Sequence, residues 1–299
     1  MKTFIGRIIL FFVCVAVVDR VVGYGCDYIN SHPKGGDSKA HYDAFNTVTA
    51  DVIVLGSSRA RHHYNPSIIE DSLGLKCYNC GYDGNGIFNM YGRLTSICQR
   101  KAPQIVLYDV YAPNELYDLD NLRDLEGIKR YCENDSIASI IKDVAPMEKY
   151  KLFSFLYRYN TNIFQMVSDY IHISPIDKQG YSPLGDKVID YEPEPFHSSY
   201  IEASPDSKKM QYLNKMVYLS KRYGFKLFFC ISPRLNANSD EDYKPLIEFC
   251  KNNNVSLLNF YMFDMISKNK NLFKDPVHLN TNGADIYTKE IVYSIKGDM

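Results

Sequence analysis

The chain has 299 residues, 45% of them apolar, which suits one large domain or two small ones with a buried core. Its formal net charge is −1, from 34 basic and 35 acidic side chains, so it lacks the general basic character of a nucleic-acid-binding protein. Of its eight cysteines, Cys77 and Cys80 make one C-x-x-C with no second pair to complete a zinc set; the cysteines read as structural thiols, with no metal site and no disulfide framework.

Lys2 and Arg7 precede an unbroken apolar run of eleven residues, 8–18, closed by Asp19 and Arg20. Positive residues ahead of an apolar run describe a secretory signal or a signal anchor over residues 1–25. Without a small-x-small cleavage site after it, an uncleaved anchor with its amino end inside is expected. The run is short for a spanning helix, which takes about twenty residues, so Phe4, Ile5, Val21 and Val22 would have to extend it. Residues 26–48 are polar, carry Pro33, Gly35 and Gly36, and read as a linker to a domain at 49–299.

That domain opens with a strand over residues 51–55, running into Gly56-Ser57-Ser58-Arg59. An apolar run without alternation suits a strand buried on both faces, as in a parallel sheet. A serine just beyond it sits at the carboxyl edge, where open α/β sheets bind ligands. The start of a following helix would offer N–H groups to an anionic oxygen there. Asn65-Pro66 caps a helix that Gly74 stops, and residues 76–80 form a second strand. The turn Gly81-Tyr82-Asp83-Gly84-Asn85-Gly86 is not a dinucleotide fingerprint. A helix over 87–100 and a strand over 104–110 follow, leading into Tyr111-Ala112-Pro113-Asn114. Residues 115–206 mix acidic side chains with tyrosines and read as a helical and loop insertion over the catalytic edge, where substrate specificity would be set. Its carboxylates read as a solvated run, and His172 and His197 as surface or packed histidines. A helix over 206–223, a strand over 225–231 closing in Ser232-Pro233-Arg234, a helix over 243–253, a strand over 255–259 and a helix over 282–295 complete the chain. This alternation predicts an α/β fold, a three-layer α/β/α sandwich with a parallel sheet of flavodoxin-like kind, plus the N-terminal hydrophobic helix.

Just before the last helix lies Asp275-Pro276-Val277-His278. An Asp three residues before a His on a loop orients that imidazole while its Nε2 faces a serine. Together Gly56-Ser57-Ser58 and Asp275-x-x-His278 resemble the first and last blocks of the SGNH (GDSL-like) hydrolase superfamily, with Ser57 in place of the usual aspartate. Gly-Ser-Ser-Arg followed by Tyr64-Asn65-Pro66 is similar to membrane-anchored bacterial members linked to acylation of surface polysaccharides.

The resemblance implies a serine esterase or O-acyltransferase working without a cofactor or metal on an acylated carbohydrate or other small ester. It also implies a place in the bacterial cell envelope, tethered by the N-terminal helix with the catalytic domain outside the cytoplasm. Ser58, Asp275 and His278 would be the catalytic residues, with Ser57 the rival nucleophile. The oxyanion hole would use Ser58 and Gly84, with Gly86 as the second choice for the glycine. Asn114 stands two or three residues later than the family's third block, which is otherwise missing its glycine and aspartate, and Asp109 is its rival. Apart from the resemblance, Arg59 and Arg234 are read as substrate-binding residues, although Arg59 could equally pair with an internal acid and Arg234, at the carboxyl end of its strand, could merely face solvent. The competing expectation is an inactive SGNH fold kept as a membrane-tethered glycan-binding or assembly protein, which the broken third block favours.

Overall fold

The computed structural model describes residues 1–160, 162–172, 178–193 and 204–298; His197 lies outside them. The chain forms two compact units, one from Met1–Tyr42 with Asn121–Ile176 and the other from Asp43–Asp120 with Asp177–Met299.

In the second unit five parallel strands form one sheet: β1 (Val52–Gly56), β2 (Cys77–Asn79), β3 (Ile105–Asp109), β4 (Lys226–Ile231) and β5 (Ser256–Asn259), in the order β2-β1-β3-β4-β5. The apolar runs behave as expected of strands buried on both faces: every residue of β1 and β3 is buried. Successive side chains alternate between faces, so Val52, Val54, Ile105, Leu107, Phe228 and Cys230 share one layer with Ile69 and with Tyr287 and Ile291 of the C-terminal helix Thr281–Asp298. Each such aliphatic side chain taken fully out of water contributes roughly 1.5–3 kcal/mol. Helices Ile87–Arg100 and Ser207–Tyr223 pack on each other, and helices Ser58–His63 and Pro66–Leu73 pack on the C-terminal helix.

Local signals set the element ends. The Asn65 side chain accepts the Ser67 N–H, Pro66 takes the first helical position, and Gly74 closes that helix. Asp206 caps the helix at Ser207 by accepting the Lys209 N–H.

In the first unit the helix Lys2–Ser31 packs against Phe155–Tyr159 and Ile163–Ile171 through Cys26, Tyr159 and Met166. Asp19 accepts from Ser154 Oγ (2.6 Å) and the backbone N–H groups of Phe155 and Leu156 (3.0 Å each), tying the two helices together.

Two expectations are corrected here. Residues 26–48 are largely helical: the N-terminal helix runs on to Ser31, and Gly36–Asn46 forms another. The buried positions Ser38, His41, Ala44 and Phe45 recur at helical spacing, which the nearby proline and glycines masked. The insertion also does not stand alone, since residues 121–176 form a unit with the N-terminal 42. Among the described residues no helix is long and apolar enough to cross a membrane. The unbroken run at residues 8–18 reaches only about 16 Å at the helical rise, against a hydrocarbon core of about 30 Å.

Candidate active site

Buried polar residues gather at the carboxyl ends of the central strands, among them Ser57, Arg59, Asp109 and Ser232. β1 ends at Gly56, whose φ of +137° and tight surroundings exclude a side chain: a Cβ there would lie 2.5 Å from the Asp109 carbonyl oxygen and 2.9 Å from the Ala60 Cβ. The chain then turns through Ser57 into the six-residue helix Ser58–His63. Gly81 lets the following loop lie directly on this helix, since a Cβ would come within 2.5 Å of the Arg61 nitrogen. The first helical bond here runs from the Arg61 N–H to the Ser57 carbonyl, leaving the N–H groups of the opening turn directed out of the helix start.

Ser58 and His278 are 220 positions apart, yet the Ser58 hydroxyl lies 2.8 Å from His278 Nε2. On the far side of the ring, Nδ1 lies 2.9 Å from Asp275 Oδ2 and 3.1 Å from Oδ1. A carboxylate facing Nδ1 places the proton on that nitrogen and leaves Nε2 as the acceptor for the serine hydroxyl. Asp275 Oδ1 also accepts the N–H groups of Val277 (2.8 Å) and His278 (2.9 Å), closing the loop on itself. Burial works against the charge of Asp275, but these bonds and the facing imidazole hold its carboxyl below the usual carboxylate range. Ser57 takes no part in this relay: it is 1% exposed, and its hydroxyl is enclosed with no hydrogen-bond partner among the described residues.

For Arg59 the structure decides between the two expectations, in favour of an internal acid. Its side chain is 1% exposed and turns under the site, where it pairs with Asp109 (3.0 Å) and donates to the Val110 carbonyl (2.5 Å). The internal acid is thus Asp109, which β1–β3 register sets opposite Gly56. Burial alone would lower the Arg59 pKa, but the Asp109 charge outweighs it and raises it above the ordinary arginine value. Asp109 also accepts from the hydroxyls of Tyr64 (2.7 Å) and Ser232, and Tyr64 in turn meets the Tyr287 hydroxyl at 2.9 Å. One arginine thereby joins the Ser58 helix to the ends of β3 and β4.

The other predicted residues are less tightly placed. Gly84 is exposed at φ +69° in the loop after β2, and Asn114 lies in the turn Pro113–Tyr117, where its carbonyl accepts from the Lys209 ammonium (2.5 Å). Neither is hydrogen-bonded to Ser58. Gly86 caps the helix at Ile87. Arg234 is half-buried after β4, its N–H donating to the Tyr261 carbonyl. Among the described residues no group of His, Cys, Asp and Glu has the arrangement of a metal site.

Four neighbours of the relay are not singled out by the sequence: Arg61, His62, His63 and Asp83. His62 meets Asp83 (3.3 Å) and the Ser182 carbonyl (2.6 Å), and Arg61 reaches the same Asp83 at 3.5 Å. Burial opposes the Asp83 charge, but His62, Arg61 and His278 hold its pKa below the usual range. The His62 and His63 rings stand 6.0 and 6.1 Å from the His278 ring. The helix that carries Arg59 to His63 has only six residues, too few to show a periodicity from which inward and outward faces could be read.

The chain matches no family model and no curated protein. Solved structures similar to it include a psychrotrophic esterase from a Pseudoalteromonas species (12% identity, 83% of this chain and 97% of that one, TM-score 0.43). A GDSL-like lipase from Bacteroides thetaiotaomicron is similar over 93% of this chain and 98% of its own (11% identity, TM-score 0.41). An acetyl xylan esterase matches 82% of this chain and 99% of its own (13% identity, TM-score 0.41). At these values the likeness carries no argument about the site, which rests on the geometry above.

Proposed function

We propose that this protein is a serine esterase of the SGNH type that cleaves ester bonds through an acyl-Ser58 intermediate. One observation carries the reading: the unbroken relay from the Ser58 hydroxyl through His278 to Asp275, with donor and acceptor atoms at 2.8 and 2.9 Å. A structural histidine needs no serine hydroxyl on one nitrogen and a carboxylate on the other.

In this mechanism Ser58 Oγ forms a bond to the ester carbonyl carbon while its proton passes to His278 Nε2. Asp275 fixes the imidazole tautomer and offsets the positive charge that develops on the ring. The oxyanion is received by N–H groups at the start of the nucleophile helix and by Gly84, with the Asn114 amide as a further donor; each such donor contributes about 10²–10³ in kcat. Collapse breaks the bond to the alcohol oxygen, which leaves with the proton from Nε2. Water, deprotonated by the same nitrogen, then releases the acid. A sugar hydroxyl in place of that water would make the reaction an acyl transfer.

The finer reading follows the resemblance of the sequence motifs: a short O-acyl ester on cell-envelope carbohydrate, with the protein held at a bacterial membrane and its catalytic unit outside the cytoplasm. Supporting the tether, large apolar side chains from Phe4 to Val18 stand exposed around the N-terminal helix, a surface unfavourable in water. Liposome flotation of the full chain tests it: the wild type should float, and Phe11→Asp with Val15→Asp should not.

Hydrolysis of short aryl and sugar esters by the full-length protein tests the catalytic reading. Wild-type turnover abolished in Ser58→Ala and His278→Ala supports it. A folded wild type that turns over no ester overturns it and favours the glycan-binding alternative.

A further inference from the structure

One buried histidine has no part in the relay yet touches the loop that carries it. His63, the last residue of the nucleophile helix, is fully enclosed, and its Nε2 accepts the backbone N–H of Leu279 at 3.0 Å. Leu279 directly follows His278. We propose that His63 is a positioning residue: its neutral imidazole accepts the Leu279 N–H, fixing the general-base loop against the helix that begins with Ser58. The proposal rests on the esterase reading for its catalytic consequence, but the bond exists or fails independently of it.

The chemistry of the bond restricts the ring. To accept at Nε2, His63 must carry its single proton on Nδ1, and a doubly protonated ring would have no lone pair to offer. Burial first, then the nearby His278, Arg59 and His62, push the His63 pKa well below the ordinary histidine value, which favours the neutral ring, and the Leu279 N–H facing Nε2 selects its Nδ1–H tautomer. Beside this contact the C-terminal helix, which follows the His278 loop, holds the end of the Ser58 helix: the Thr288 hydroxyl donates to the His63 carbonyl (3.0 Å) and accepts the Asn65 N–H (3.0 Å). The His63 Nδ1–H is enclosed with no partner among the described residues, an unfavourable arrangement for a residue that served only to fill space. A leucine or phenylalanine would fill the volume without that cost. Ser58 and His278 meet across 220 positions of sequence, and a displacement of about 1 Å at such a pair lowers turnover by as much as a hundredfold.

The test compares His63→Gln, whose amide oxygen can accept in place of Nε2, with His63→Leu, which fills the space but cannot accept. Both are first shown to be folded by circular dichroism, then assayed on an aryl ester. Alongside, long-range ¹⁵N–¹H NMR of the wild type reads the His63 tautomer and the coupling across the Leu279 N–H. The expected result is a His63→Leu enzyme with kcat down about ten- to hundredfold and KM within about threefold, and a His63→Gln enzyme within about threefold of wild type in both. Wild-type kcat in folded His63→Leu overturns the proposal. So does a wild-type spectrum with the proton on Nε2, which also decides the matter should both variants fail to fold. A wild type with no esterase activity but the predicted Nδ1–H tautomer would refute the esterase reading and leave the His63 bond standing.

Discussion

Replacing Arg59 by methionine tests the scaffold that holds the Ser58 helix to the strand ends. The substitution keeps much of the side-chain length while removing the charge that pairs with Asp109 at 3.0 Å and the donor to Val110. Asp109 is 0% exposed, so solvent cannot replace the lost partner. Removing one member of a buried ion pair costs about 3–5 kcal/mol, because the remaining charge is left uncompensated. The Tyr64 and Ser232 hydroxyls still serve the carboxylate, which places Arg59→Met near the lower end, at about 3 kcal/mol. That is a large share of the roughly 5–15 kcal/mol that stabilises an ordinary domain. Adding Asp109→Asn removes the orphaned charge and should recover about 1–2 kcal/mol, a coupling that a double-mutant cycle reads directly. Urea denaturation followed by far-ultraviolet circular dichroism is the assay, as the chain contains no tryptophan. A loss below about 1 kcal/mol for Arg59→Met, or simple additivity in the double variant, would refute the view that this pair holds the strand ends together.

Gly56→Ala should destabilise the protein by several kcal/mol, of the order of 3 or more, because it adds a Cβ both at φ +137° and within 2.5 Å of the Asp109 carbonyl; soluble yield and thermal midpoint check this. Asn65→Ala should cost about 1–2 kcal/mol, losing both the cap to Ser67 and the bond to Asp285, as read by urea denaturation. Glu148 is paired with Lys129, Lys151 and Tyr157; burial opposes its charge, but these partners depress its pKa to about 2. A carboxyl depressed in the folded state contributes stability that is complete above its unfolded pKa of about 4.3 and is lost as pH falls through the folded value, so acid should weaken the first unit between pH 4.3 and 2. Glu148→Gln should flatten that acid limb, and an unchanged slope would argue against the assignment.

The parallel sheet was legible because burial on both faces writes itself as unbroken apolar runs, as in Val52 to Leu55, and because Asn65-Pro66, Gly74 and Gly224 mark helix ends whatever the tertiary context. Ser58, Asp275 and His278 could be picked out because each lies at a strand end or in a loop with a distinctive neighbour, and the fold brings the three together. Arg59 could not be resolved from sequence: its direction depends on the register that sets Gly56 opposite Asp109, a fact of the folded sheet. His63 was hidden for a different reason, as six residues span less than two helical turns and show no face. The first unit was the least legible part. Its core joins Cys26 to Tyr159 and Met166, pieces more than a hundred positions apart, and no local pattern announces such a pairing.

An activated Ser58 is read out by labelling the full-length protein with a fluorophosphonate followed by peptide mapping. A single modification is expected, on Ser58, lost in Ser58→Ala and in His278→Ala and retained in Ser57→Ala. Modification of Ser57, or no modification of a folded wild type, would contradict it.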